Sequence, residues 1–459
     1  MIALPPSRHQ LAVCPRISPA DLARGASAML TDTGESLAAT QHAIQREFGA
    51  VSCLLTDSGT SALVLALRLM VGKGGTVALP GFGCVDLASA VEFAEVGVRL
   101  YDVDPFTMSP DLGSVESAIR RGVDAVLVAH YYGYPADVRG VRELATSYGV
   151  PVIEDAAQAA GGSRGGVRLG ALGDLSILSF GRGKGLFGGR GGALLGFSRE
   201  WGSRIAAIRE LSSRRGLRDV AIGAAQWLLG RPRLYGLPAS IPWLHLGEMV
   251  YHPAHEPQSL SVAAATLVRS SLANEARDLA TRRRNAAVLR AVTERDGHRI
   301  TPVRPLPRAE SGFLRFAVLD RSLTREAAPR LGVMRGYPQT LHEQIPLRRH
   351  LLHGEPATPG AMQLRASLFT LPTHAMVTER DLSVLGGWLR KAAHSSYSSL
   401  WPRRNDASVE NTFVGPGTPE LAGGTERSAG PHRVPASCDC DGDAIPLAAM
   451  NATDHQNLR

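Results

Sequence analysis

Hydrophobic positions change period along this chain at short, regular intervals. Residues 36–48 repeat apolar side chains at helical spacing and stop at Gly49. Residues 51–56 form a short apolar run, and the turn Asp57-Ser58-Gly59 then leads into a helix expected from about Thr60. Further strands are expected over 76–79, 98–103 and 125–129, with helical segments between them, among them 112–120. Three more apolar runs follow, at 152–155, 176–180 and 193–195. Strands and helices alternating at this spacing predict an α/β fold with a large, mostly parallel sheet covered by helices on both faces.

Beyond residue 200 the rhythm changes. Residues 204–214 are basic and amphipathic, 220–229 are apolar, and the stretch up to 250 is rich in proline and aromatics. This segment reads as a helix and loop packed on the large domain; an insertion lining the substrate entrance and a surface for a membrane or partner are the alternatives. A long helix is expected over 260–292 and a strand over 312–319. The run Arg282-Arg283-Arg284 reads as a solvated face. After Lys391, Ser, Pro, Gly, Asn and Asp dominate and apolar periodicity ends, which marks a segment unable to bury enough surface to fold. The expected division is an arm over 1–35, a large domain over 36–250, a smaller C-terminal α+β domain over 251–394 and a disordered tail over 395–459.

Composition narrows the function. The 459 residues carry a net charge of +8, and a basic surface can steer an anionic ligand. No helix-turn-helix, zinc-finger or RNA-binding signature is present, which argues against nucleic acid as a partner. No run of eighteen apolar residues suggests a membrane span, and no charged-then-apolar leader suggests secretion, so a cytoplasmic protein is expected. Cys14, Cys53, Cys84, Cys438 and Cys440 are too scattered for a disulfide framework or a metal site.

The candidate chemistry lies between Val152 and Gly196. Of the 50 Lys+Arg, only Lys73, Lys184 and Lys391 are lysine. A lysine amine can lose its proton and attack a carbonyl, whereas a guanidinium cannot. Lys184, set among glycines after an apolar strand, is therefore a candidate Schiff-base residue; a surface lysine in a flexible turn is the other reading. Asp155 closes the strand before it, where open α/β sheets bind ligands. A carboxylate there can keep a pyridine nitrogen protonated or simply cap the next helix. The turn at Gly59, Thr60 and Ser61 offers backbone N–H groups at a helix start, suited to phosphate.

The series EDAAQ, G-x-x-G-D, SF-x-x-x-K and GG resembles the DegT/StrS-type sugar aminotransferases, members of the aspartate-aminotransferase-like class of pyridoxal-phosphate enzymes (fold type I). The resemblance implies that Lys184 links to the coenzyme and Asp155 pairs with its ring nitrogen. It places Gln158 by the ring and puts Ser179 with Gly59, Thr60 and Ser61 around the phosphate. Where the family has a stacking aromatic this chain has Cys84, with Phe82 a possible substitute. His130 and Tyr337 are implied as substrate neighbours, although a structural role for His130 is the commoner one. The implied reaction moves an amino group, by family usually from glutamate, to a nucleotide-linked keto-sugar in a homodimer that uses no metal. A cyclitol acceptor and a non-catalytic relative are the alternatives.

Overall fold

A computed structural model describes residues 8–31, 34–208, 211–212, 216–241, 250–295 and 300–390. The tail expected over 395–459, with Cys438 and Cys440, lies outside the described residues.

Seven short strands form the large sheet: β1 (Ser52–Thr56), β2 (Thr76–Pro80), β3 (Gly97–Tyr101), β4 (Ala125–Ala129), β5 (Val152–Asp155), β6 (Leu175–Ser179) and β7 (Gly192–Gly196). Their order across the sheet is β1-β7-β6-β5-β4-β2-β3. The five strands from β6 to β3 are parallel, and β7 alone runs against both its neighbours. Strands such as Ala-Val-Leu-Val-Ala in β4 are buried at every position because helices cover both faces, so they read as continuous apolar runs.

This topology decides where the chemistry falls. β1, β2, β4, β5 and β6 all end at the same edge of the sheet. The residues that follow or close them are Gly59, Cys84, His130, Asp155, and Ser179 with Lys184. Six candidates scattered over some 125 positions of sequence thus meet along one edge.

Close backbone approach holds that edge together. Gly192 pairs with Thr56 of β1 on one side and Ser179 of β6 on the other. A Cβ at Gly192 would come within 2.5 Å of the Ser58 carbonyl oxygen and 2.7 Å of the Gly59 nitrogen. Only a residue without a side chain lets the end of β7 pass beneath the start of the helix Gly59–Met70.

The helices match the expected pattern with small shifts. Glu35–Phe48 ends on Gly49, whose φ of 65° is the left-handed cap that favours glycine. The arm expected over 1–35 contains a helix, Pro19–Thr31, packed on the long helix Val262–Arg295. Within the segment 200–250, the helix Leu217–Leu229 packs on those same two helices, and its Asp219 accepts from Ser261 Oγ at 2.6 Å. The long helix serves both cores. Ala264, Ala265 and Val268 enter the large one, while Ala286 and Leu289 join a second cluster with Phe316, Phe369 and Leu385.

That second cluster lies against an antiparallel sheet of β8 (Ile300–Pro302), β9 (Arg315–Asp320), β10 (Met334–Arg335) and β11 (Leu368–Pro372), in the order β8-β9-β11-β10. The strand expected over 312–319 begins later, at Arg315. The reason is that Gly312 donates to the Gly133 carbonyl at 2.8 Å and lies too close to the Ala160 carbonyl for any side chain. Among the described residues no helix is long and apolar enough to cross a membrane.

Gly192→Ala is expected to destabilise the fold by about 1–3 kcal/mol, the usual cost of overpacking. Urea unfolding should show a lower midpoint with an unchanged slope.

Candidate active site

The crevice at the carboxyl edge of the sheet is built on a buried charge. Glu154 is fully buried and accepts from Gly170 N–H (2.7 Å), Leu172 N–H (2.7 Å), Gly173 N–H (3.0 Å) and Ser176 Oγ (2.8 Å). A fifth bond, 2.8 Å long, joins it to His130 Nε2. His130 Nδ1 accepts the Ala136 N–H at 2.9 Å, so the ring is neutral and Nε2–H is the donor to Glu154. Desolvation pushes the Glu154 carboxyl up, but the His130 bond and the backbone N–H groups outweigh it, and its pKa falls below the usual value. His130 spends both ring nitrogens on the protein at 2% exposure, which leaves none to offer a substrate.

Asp155 alternates to the other face of the strand and enters the crevice. Its Oδ1 accepts the Ala157 N–H at 3.0 Å, and its carbonyl accepts the His130 N–H at 3.0 Å. Burial raises its pKa; the Ala157 N–H, Lys184 and His130 pull against that, while Asp86 adds to it.

Lys184 lies on the loop after β6, within electrostatic reach of Asp155 and Cys84. Its amine has no hydrogen bond or ion pair among the described residues. The loop is held from below, because a Cβ at Gly185 would meet the Ala160 backbone at 2.6 Å. Ala160 is held in turn by Arg282, which donates to its carbonyl at 2.8 Å and to that of Gly312 at 2.9 Å. The expectation of a solvated face over Arg282-Arg283-Arg284 is corrected here. Arg282 is buried because those two carbonyls need a donor, Arg283 bonds Ser311 O and Glu310, and Arg284 alone is exposed.

The third component is an anion cup. Ser58 caps the helix Gly59–Met70 by accepting the Ser61 N–H at 3.0 Å, and Ser61 Oγ donates to Asp57 at 2.7 Å. The Gly59 and Thr60 N–H groups are left without an acceptor among the described residues, as first-turn donors are. A Cβ on Gly59 would meet Ser179 Cβ at 2.7 Å, so the Ser179 hydroxyl stands beside those donors. Of the expected trio, Gly59 and Thr60 offer free N–H groups, while Ser61 is spent on the cap and on Asp57.

Gln158 bridges two tyrosines. Its Oε1 accepts the Tyr132 N–H at 3.1 Å and its Nε2 donates to Tyr337 Oη at 2.8 Å. Tyr337 packs on Phe82 at 4.9 Å and on Tyr132 at 5.8 Å between ring centroids. Phe82 is fully buried in this cluster. Cys84 sits half-buried at the start of the helix Val85–Ala94, with Sγ 3.4 Å from the Asp86 carboxylate. Burial pushes its thiol pKa up, so it is a neutral, polarisable lining group. Sequence reasoning missed Glu154 as an anchor, Arg282 as a brace and Tyr132 as a wall. Glu154 carried a signal, an acid within an apolar strand; an arginine in a basic helix carries none.

The family model for DegT/DnrJ/EryC1/StrS aminotransferases matches residues 23–387. The L-glutamine:2-deoxy-scyllo-inosose aminotransferase of Streptoalloteichus tenebrarius is 38% identical over 162 residues, 35% of this chain and 38% of the relative. The UDP-N-acetyl-3-dehydro-alpha-D-glucosamine 3-aminotransferase of Acidithiobacillus ferrooxidans is 34% identical over 190 residues, 41% of this chain and 51% of the relative. The chain spans about half or less of the length of the curated relatives it matches. The crystal structure of the aminotransferase TlmJ from Streptoalloteichus hindustanus superposes with a TM-score of 0.65 at 23% identity, covering 83% of this chain and 98% of that one, which establishes the fold.

Glu154→Ala would strand five donors and is expected to cost about 3–5 kcal/mol. The wild-type stabilisation from Glu154 should be complete above its usual pKa of 4.5 and be lost as pH falls through the lower folded value. His374, which burial depresses from 6.5 to about 4, acts in the same direction over that higher window. Melting temperatures from pH 7 to pH 3 check both, and the acid-side decline should shrink in Glu154→Ala.

Proposed function

The chain belongs to the DegT/DnrJ/EryC1/StrS aminotransferase family, and from that premise we propose that it is a pyridoxal-phosphate aminotransferase acting on the keto group of a nucleotide-linked sugar, with glutamate as donor. One observation carries the reading: the unpartnered Lys184 amine lies within electrostatic reach of the Asp155 carboxylate, beside a set of free anion donors.

The residues fit the coenzyme. The Gly59 and Thr60 N–H groups and the Ser179 hydroxyl would hold its phosphate at a helix start. Asp155 would hold the ring nitrogen, and Gln158 and Cys84 would line the ring. When bound, pyridoxal phosphate supplies an aldehyde for covalent capture of amines and a ring that accepts electrons.

The chain's own groups do the rest. Lys184 Nζ, free of any competing partner, provides the tether and moves a proton at the substrate carbon. Asp155, whose burial raises its affinity for a proton, would hold the ring nitrogen in its protonated form. Its carbonyl bond to His130 and the Glu154 anchor on the opposite face hold it there. The aromatic wall of Tyr132, Tyr337 and Phe82 excludes water from one side. The proposal includes a cytoplasmic homodimer, on the strength of the family alone.

A second reading replaces the nucleotide sugar with a cyclitol ketone. The relative named for 2-deoxy-scyllo-inosose favours it. Both acceptors present a ketone on a hydroxyl-bearing ring.

The purified protein is expected to be yellow, and borohydride should abolish the absorbance and leave a stable adduct on the peptide containing Lys184. Lys184→Ala should lose that adduct and at least about 10³-fold in turnover, in the range expected for loss of a nucleophile that also transfers a proton. A colourless wild-type protein that stays unmodified sinks the proposal. Assay of nucleotide keto-sugars against inososes, with glutamate as donor, separates the two acceptors.

A further inference from the structure

Besides Lys184, a second cation beside the crevice has no acid to neutralise it among the described residues. Arg315 opens β9, and its backbone N–H donates to the Tyr132 carbonyl at 3.2 Å. Its guanidinium has no acid and no hydrogen-bond acceptor among the described residues, and its Nε is buried without a partner. The guanidinium carbon lies 5.7 Å from the centre of the Tyr132 ring. Burial lowers its pKa, and the neighbouring phenols of Tyr132 and Tyr337 act against that.

Two other arginines nearby have acceptors for their guanidinium groups. Arg282 donates to two carbonyls, and Arg168 pairs with Glu47 and Glu275. A guanidinium whose buried Nε finds no partner opposes folding. Such a cost is tolerated where a ligand supplies the missing charge.

The position says which ligand. Tyr132 and Tyr337 are the two residues that Gln158 ties together, and both lie within electrostatic reach of Cys84, which in turn reaches Lys184. Arg315 lies against the Tyr132 ring, and Tyr132 is tied to Gln158, three residues beyond Asp155, so the guanidinium belongs to the wall of the same crevice. An amino acid carries its carboxylate on the same carbon as its amine, so the receptor for that carboxylate must be close to the centre. The diphosphate of a nucleotide sugar lies a whole sugar ring away from the ketone.

We propose that Arg315 is the receptor for the carboxylate of the amino-acid donor. The guanidinium fork matches a carboxylate with two parallel hydrogen bonds, and the tyrosine walls strengthen them by excluding water. The assignment rests on the aminotransferase reading and names how that site recognises its donor.

The test uses wild-type holoenzyme, Arg315→Gln and Arg315→Lys. Glutarate serves as a donor-shaped dicarboxylate without the amine, and UDP as a diphosphate probe. Both are titrated by calorimetry, alongside coenzyme loading by absorbance and melting temperature. Arg315→Gln is expected to weaken glutarate by about tenfold or more, the scale of one charge-assisted pair. Arg315→Lys should restore part of it. UDP affinity and coenzyme loading should hold, and the melting temperature should stay or rise because a buried Nε without a partner is gone. In steady state the KM for glutamate should rise more than kcat falls.

Unchanged glutarate affinity in a loaded Arg315→Gln protein overturns the Arg315 assignment alone. So does loss of UDP binding with glutarate retained, or a lower melting temperature with normal glutarate binding. A wild-type protein that takes up no pyridoxal phosphate overturns the enzyme reading and this one with it.

Discussion

A carboxylate without water around it has to be surrounded by donors, and Glu154 shows what that demand does to a fold. Its five hydrogen bonds come from the turn after β4, the loop 170–173 and strand β6. Three segments that must line one crevice are drawn to a single point on the far face of β5. Asp155 is the next residue, so the strand's alternation converts a structural anchor on one side into a fixed functional carboxylate on the other. Few substitutions could loosen this point gently, because each donor left unpaired in a dry interior carries its full desolvation cost.

Glycines do the complementary work. Gly59, Gly185 and Gly192 each occupy a place where a Cβ would strike backbone or a packed side chain at 2.5–2.7 Å. Together they bring the helix start, the lysine loop and the ends of β6 and β7 closer than ordinary residues allow. The donors for an anion, the amine and the carboxylate then converge by backbone geometry, and their side chains remain free for chemistry.

Charge is handled unevenly around this centre. The chain uses arginine almost everywhere it needs a cation, and most of those arginines near the crevice brace the structure, as Arg282 does for the carbonyls of Ala160 and Gly312. Arg315 differs from Arg282, as a cation set against a tyrosine ring and without a counter-charge among the described residues. Lys184 is likewise unpaired. An active site of this kind keeps its unsatisfied groups where ligands will complete them and spends the satisfied ones on stiffness.

Much of this was readable in the chain. The apolar runs of β1 to β7 and the helical spacing between them are local properties, and local properties set the elements. Lys184 and Asp155 stood out because one is a rare residue type here and the other closes a buried strand. The family motif placed Ser179, Gly59 and Gln158 beside them, and the folded chain brings all of these to one edge. Which neighbours each side chain finds was a matter for tertiary structure. Arg282 looked like solvated surface because a helix's sequence does not say which carbonyls will face it across 122 and 30 residues of chain. For His130 a structural role was the commoner expectation, but only the fold showed that Glu154 and Ala136 take both its nitrogens. Arg315 carried no signal in the sequence, lying within an expected strand over 312–319. Only packing, which decides who lacks a partner once water is gone, set it apart.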